Sequence, residues 1–405
     1  MKQRDHNALI GSNIILFLFA TDFLRFFWIL TPLDLASIIY LSERFLRGRL
    51  PRTIILLAAG HLFVFFLIVL ISGILNSFYA FEHTVLIIGT VLSVAKAVVL
   101  IDALQTKGEE AWRPLTLGFL ALNVLLLLAL LAGVGFSGSG RFSGFFPQTN
   151  GMAAFQTFAI ATALFAFLQR KSVIALLTLC LSFSLLLPAG SRGSIVSSVI
   201  LLALVLFQTL RGTKPMTKLF LYPIVLLLLV FSILASNSLF IDLSELLSTS
   251  EFDGVQRIGV FFAALHFGEL GDVYARSRGT LNETALDQFL QNFTFFGHGY
   301  ESSMDLLGFG IRVHNIFLSA AVELGAFGLL FFLVAFLFGC LMTLTKLSDR
   351  GIAFFFSLMF IATWFQAIKT PYYFLNGVSW AVIIFSFGST TRQLTFKPQA
   401  NAKYD

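Results

Sequence analysis

Residues 313–344 read VHNIFLSAAVELGAFGLLFFLVAFLFGCLMTL. His314 and Glu323 are the only acidic or basic side chains in the run. About 20 apolar residues suffice to cross a bilayer, so this stretch reads as a membrane span. Glu323 lies about two turns inside it, where an unpaired charge costs at least ~2.5 kcal/mol. It therefore needs a partner or a wet cavity. The rest of the chain repeats this composition: of 405 residues 57% are hydrophobic, 49 are Phe, and the mean hydropathy is +0.88. Only 12% are charged, about half the roughly 25% of a soluble domain. That is too little charge to wrap a core of this size. It excludes a soluble enzyme, a disordered chain and a nucleic-acid binder. Cys180 and Cys340 sit in apolar runs and offer neither a disulfide framework nor a metal-ligand spacing.

Hydropathy predicts about twelve spans, at 9–29, 32–46, 53–75, 82–103, 114–135, 148–168, 172–189, 193–210, 219–236, 313–344, 351–369 and 373–388. The chain then reads as spans one to nine over 1–236, a long polar loop over 237–312, and spans ten to twelve with a tail over 313–405. Asp22 and Arg25 interrupt the first apolar stretch, and no small-x-small site follows it, so it reads as an uncleaved span. An even number of spans puts both termini on one side. With the termini inside, 18 of the 27 Lys and Arg fall on inner segments and 7 fall outside. The outer ones are Arg141, Arg192, Arg257, Arg276, Arg278, Arg312 and Lys369, while Arg25 and Lys96 lie within spans. This is the positive-inside asymmetry, so the pI near 9.4 is a signal of topology and not of a polyanionic partner. Asp22, Arg25 and Lys96 are expected to pair within the bundle.

The polar residues that remain gather at the outer face. Loop 237–312 carries ten acids against four arginines, so any phosphate there would be held by single placed arginines through bidentate contacts. Val255–Phe267 has apolar residues at helical spacing, which predicts an amphipathic helix on the membrane surface with Arg257 near its start. Leu281–Phe293 is a second helical segment, and Gly297-His298-Gly299 breaks the chain after it. Arg312-Val313-His314-Asn315 then opens span ten. His314 has the chemistry of a base, and Asn315 that of a helix cap. Pro188-Ala189-Gly190-Ser191-Arg192-Gly193-Ser194 separates spans seven and eight and places an arginine between glycines at a helix start, which favours phosphate or simply makes an interfacial turn. The loop Gly138–Gly151 contributes Arg141 and puts Asn150 at the entrance of span six.

The sequence has no P-loop, no Gly-x-Ser-x-Gly, no His-Glu-x-x-His and no Asp-x-Asp in an early outer loop. No nucleotide, cofactor or metal is therefore expected, and any energy source must arrive with the substrate. A transporter would instead place charges deep in the bundle, often with a repeat.

Four segments, in order, resemble the O-antigen ligase and polymerase superfamily. They are Arg141–Asn150, Ser191-Arg192-Gly193, Gly297-His298-Gly299-Tyr300, and His314-Asn315 followed by Gly325 and Gly328. The His-Asn-x9-Gly-x-x-Gly pattern is most similar to the ligase branch. The resemblance implies an all-α polytopic membrane protein of GT-C type, with about twelve transmembrane helices and one large periplasmic loop containing short amphipathic helices. It implies a metal-independent glycosyltransferase of the bacterial inner membrane, with cytoplasmic termini and a periplasmic active site. Its donor would be a glycan on undecaprenyl diphosphate, and its acceptor a sugar hydroxyl of lipid A-core. The family's essential histidine falls on His314, and its diphosphate arginines on Arg192 and most plausibly Arg257, with Arg312 a neighbour. Asn315, Glu323, Arg141 and Asn150 would support them. The polymerase branch uses the same donor with a second lipid-linked glycan as acceptor, and a related enzyme glycosylates proteins.

Overall fold

A computed structural model describes residues 11–23, 31–49, 51–76, 80–138, 140–146, 148–170, 172–211, 245–250, 253–266, 280–307, 313, 315–346, 351–367, 377–391 and 394. The described residues are helical, with one isolated antiparallel bridge between Phe136 and Phe142. The helices are α1 (Gly11–Asp22), α2 (Pro32–Leu46), α3 (Arg52–Leu75), α4 (Ala80–Lys107), α5 (Trp112–Leu131), α6 (Thr149–Arg170), α7 (Val173–Ala189) and α8 (Arg192–Arg211). They continue with α9 (Asp253–His266), α10 (Thr280–Gln291), α11 (Ile316–Glu323), α12 (Gly325–Lys346), α13 (Ile352–Ala367) and α14 (Gly377–Thr390). Five of them (in α3, α4, α5, α6 and α12) are long and apolar enough to cross a membrane, and α1, α7, α8, α13 and α14 contain shorter apolar helices. This is a polytopic membrane protein. The expected ninth span, 219–236, lies outside the described residues, as does Arg25.

The chain forms two compact units, Met1–Phe119 with Thr280–Asp405, and Leu120–Gly279. In the first unit, α14 packs along α4 and α12, and α3 packs along α4. Local sequence starts α2: Thr31-Pro32-Leu33-Asp34 makes a capping box with proline at the first helical position. Asp34 also reaches Lys96 of α4, whose Nζ lies 3.0 Å from it and 2.6 Å from Asp22. Asp22 accepts the Gly377 N–H at 2.9 Å, so one carboxylate joins the end of α1 to the start of α14. All three side chains are buried, and hydrocarbon tolerates them only because they are paired. The pairing expected of Asp22 and Lys96 is thus present, with Asp34 as a third member.

The run expected as one span, 313–344, is two helices. α11 stops at Glu323 and α12 starts at Gly325, which has φ +73°. Breaking a helix orphans carbonyls on one side and N–H groups on the other. Loop 294–299 takes up both sets. His298 and Gly299 donate to the Val322 and Glu323 carbonyls at 3.0 Å each, while Ala326 and Phe327 donate to the Thr294 and Phe295 carbonyls at 3.0 and 3.1 Å. The approach is so close that a Cβ on Gly297 would collide with the Glu323 carbonyl, and one on Gly325 with the Phe295 backbone. Both glycines have positive φ, which a side chain would strain further. In the second unit α6 packs on α7 and α8, with most of its first four turns buried, and α9 packs on α7.

Gly325→Ala is expected to lose at least the ~1–2 kcal/mol of a left-handed residue, read as a lower melting midpoint in detergent. Gly351→Ala, whose Cβ would meet open space, should leave the midpoint unchanged. Lys96→Met strands two buried carboxylates, and a loss of ~3–5 kcal/mol is expected. Adding Asp22→Asn and Asp34→Asn should recover most of it in the same assay.

Candidate functional site

In the second unit, the turn between α7 and α8 is built from glycine and held from outside. α7 ends at Ala189, and Gly190 closes it in the left-handed conformation at φ +62°. The Ala189 carbonyl accepts two N–H groups from Arg141, at 2.9 Å from Nε and 2.6 Å from Nη2. Phe142 N–H donates to the Pro188 carbonyl at 3.1 Å. At the start of α8, the Ser191 carbonyl accepts from the Ser194 and Ile195 N–H groups at 3.0 and 3.1 Å. The Ser191 and Ser194 hydroxyls are 3.0 Å apart. The first turn of α9 lies directly on this turn. A Cβ on Gly190 would strike the Gly254 backbone, and one on Gly254 would strike the Pro188 carbonyl.

That glycine-on-glycine contact brings Arg257, one turn into α9, into electrostatic range of Arg192, the first residue of α8. Burial pushes the Arg192 guanidinium below its ordinary pKa, and the positive charge of Arg257 pushes it the same way. Arg192 is half-buried and Arg257 exposed. Among the described residues neither forms an ion pair. Two arginines repel here, both within the opening turns of helices whose N-terminal partial charge is also positive. Such a place favours an anion with oxygens to share between them. Asn150 lies half-buried in the first turn of α6, where the Gln148 carbonyl accepts the Gly151 and Met152 N–H groups. Arg141 is committed to the Ala189 carbonyl.

In the first unit, His314 and Arg312 lie outside the described residues, but both neighbours of His314 are described. Val313 is fully buried in a cluster with Leu281, Ala285, Leu307 and Val322, so α10 packs behind it. Asn315 caps α11, its Oδ1 accepting from Phe317 N–H at 2.9 Å and from Leu318 N–H at 3.4 Å. The Phe317 ring then stacks on Trp364 of α13 with centroids 5.5 Å apart. Glu323, 2% exposed, accepts the Ser303 hydroxyl at 2.5 Å, which answers its need for a partner. The structure thus brings Asn315 and Glu323 to the two ends of one short helix, and Arg192, Arg257 and Arg141 to one turn of the other unit.

The contacts that hold loop 297–303 were not read from the sequence. The buried ring of His83 accepts the Tyr300 N–H on Nε2 at 3.3 Å. Asn76 donates to the Gly297 carbonyl at 3.2 Å. Together with Ser303 they hold loop 297–303. The Gly297-His298-Gly299 break was its visible signal, since glycine pairs mark close backbone approach. Nothing in the local sequence named the partners.

Residues 175–333 match the family model described as O-antigen ligase. The match takes in Arg192, Arg257, His314, Asn315 and Glu323, and ends within α12. No curated protein matches the chain. Over residues 175–333, about two fifths of the chain, this protein is therefore similar to the O-antigen ligase family.

Proposed function

We propose that this protein is a metal-independent, inverting glycosyltransferase at the periplasmic face of the bacterial inner membrane. It transfers a glycan from undecaprenyl diphosphate to a sugar hydroxyl of lipid A-core. The observation that carries the reading is the Arg192–Arg257 pair, two cations that form no ion pair among the described residues, at a turn built from small residues. The family match and the charge asymmetry of the loops support it.

In this mechanism the acceptor hydroxyl gives its proton to His314, and its oxygen attacks the anomeric carbon. The bond from that carbon to the diphosphate oxygen breaks, and the electron pair leaves on the diphosphate. Arg192 and Arg257 take up the growing negative charge, with Arg312 as a further cation. The diphosphate is already a good leaving group, so no acid is required. Attack from the opposite side inverts the centre. Val313 and Asn315 anchor the chain on either side of the base. Glu323 and Arg141 act as braces, holding loop 297–303 and the turn before α8. Asn150 stands at the head of α6 as a further support.

The deciding experiment compares lipopolysaccharide and undecaprenyl-linked glycans from a strain lacking the protein. Long chains stranded on the carrier beside bare lipid A-core are expected. Lipid A-core carrying a single repeat unit would instead assign the polymerase reaction. For the purified protein, His314→Ala should lose about 10²–10⁴-fold in transfer while keeping its fold and donor binding. Near-normal transfer would remove the base. Arg192→Ala and Arg257→Ala should each weaken donor binding by ~1.5–3 kcal/mol, the worth of hydrogen bonds to a charged group, with Arg192→Lys in between. Transfer should survive excess chelator.

A further inference from the structure

One side chain of loop 297–303 has no task in the fold. His298 lies half-buried between two glycines, and among the described residues its imidazole forms no hydrogen bond, ion pair or ring contact. We propose that His298 binds a hydroxyl of the acceptor glycan, at a subsite apart from the reacting hydroxyl. The proposal rests on the sugar-acceptor reading above.

The backbone that carries the ring is fixed on both sides. The His298 and Gly299 N–H groups are held by the Val322 and Glu323 carbonyls at 3.0 Å each. Before them, the Gly297 carbonyl accepts from Asn76 at 3.2 Å, and Asn76 also donates to the Ser72 carbonyl at 2.8 Å. After them, the Tyr300 N–H meets the His83 ring, which lies so close to Gly73 that a Cβ there would stand 3.2 Å from it. The Ser72 hydroxyl reaches the Glu323 carbonyl at 3.4 Å. The ends of α3, α4 and α11 thus close on one loop. The loop is also strained. Gly297 and Gly299 have φ +72° and +106°, and Glu301, at φ +73°, is the only described residue other than glycine with positive φ. Such a residue costs about 1–2 kcal/mol. Tyr300, Ser302 and Ser303 are buried. A rigid, strained loop that buries these three and leaves one imidazole open is built to present a binding group.

Charge selects the ligand. Residues 280–311 hold four acids, Glu283, Asp287, Glu301 and Asp305, and no Lys or Arg. Such a neighbourhood repels a phosphate. A sugar hydroxyl carries no charge, and an imidazole can donate to it from one ring nitrogen and accept from it on the other. Distance keeps this subsite apart from the base. Val322, which holds the His298 N–H, stands seven residues after Asn315, about 10 Å along α11. A hydrogen bond spans only about 3 Å. His298 and the base that precedes Asn315 would therefore engage different hydroxyls of one glycan.

The test measures lipid A-core binding in the absence of donor, and transfer kinetics, for the purified wild type, His298→Ala and His298→Gln in nanodiscs. His298→Ala should weaken lipid A-core binding and raise the acceptor KM about two- to tenfold, the worth of one neutral hydrogen bond. The kcat, the donor KM and the melting midpoint should stay unchanged. His298→Gln keeps a donor and an acceptor and should recover most of the loss. An unchanged acceptor affinity overturns the proposal. So does a loss shared by the donor, or one that follows a lower melting midpoint, since either would make His298 a structural residue. Because binding is read apart from transfer, the two readings fail separately. Lipid A-core binding that depends on His298, without any glycan transfer, would sink the proposed function alone. Transfer with an acceptor affinity indifferent to His298 would sink the subsite alone.

Discussion

Four backbone hydrogen bonds between loop 294–299 and the two ends of the broken helix are what the first unit's candidate site depends on. Hydrocarbon offers no partner to a bare N–H or carbonyl, and each one left unmade there costs several kcal/mol. A helix can end within the membrane only if something brings replacement partners to it. Here one glycine-containing loop does so, and the break in turn fixes the loop. Asn315 caps the upstream half-helix, Glu323 ends it, and Ser303 reaches back to Glu323. Asn315 and Glu323 are therefore set by a rigid frame rather than by a free connection.

The same constraint governs the ionic groups. Lys96 is tolerated because Asp22 and Asp34 both face it, and Asp22 has a backbone donor as well. Arg141 spends its guanidinium on a helix-end carbonyl. Against that background Arg192 and Arg257 stand out. The charge of Arg257 acts on Arg192, and among the described residues neither forms an ion pair. The charges that brace the fold have partners within it, whereas Arg192 and Arg257 form no ion pair among the described residues.

Most of what was legible in the sequence was local. Many helix ends, and the helices around Arg257 and Leu281, follow from hydropathy and spacing. The requirement that Glu323 have a partner was legible too, since burial of a lone carboxylate is costly wherever it occurs. Its identity was not, because Ser303 lies 20 residues upstream, at the start of a separate one-turn helix. The break at Leu324 was hidden for a related reason. Hydropathy runs straight through it, and the groups that stabilise it are supplied by a distant loop. Gly190 and Gly254 were visible only as separate glycines, and their mutual contact is what joins Arg192 to Arg257.

The first unit is assembled from two pieces of chain, Met1–Phe119 and Thr280–Asp405, with the second unit inserted between them. Asp22 and Gly377, 355 residues apart, meet in one hydrogen bond. On the ribosome, the helices that precede the insertion emerge long before α14 exists to complete their packing. The second unit can finish folding first, while α3 and α4 wait with unfinished faces. Membrane insertion of this protein is therefore out of step with its folding, and the early helices are the stage at which an insertase or chaperone would be needed.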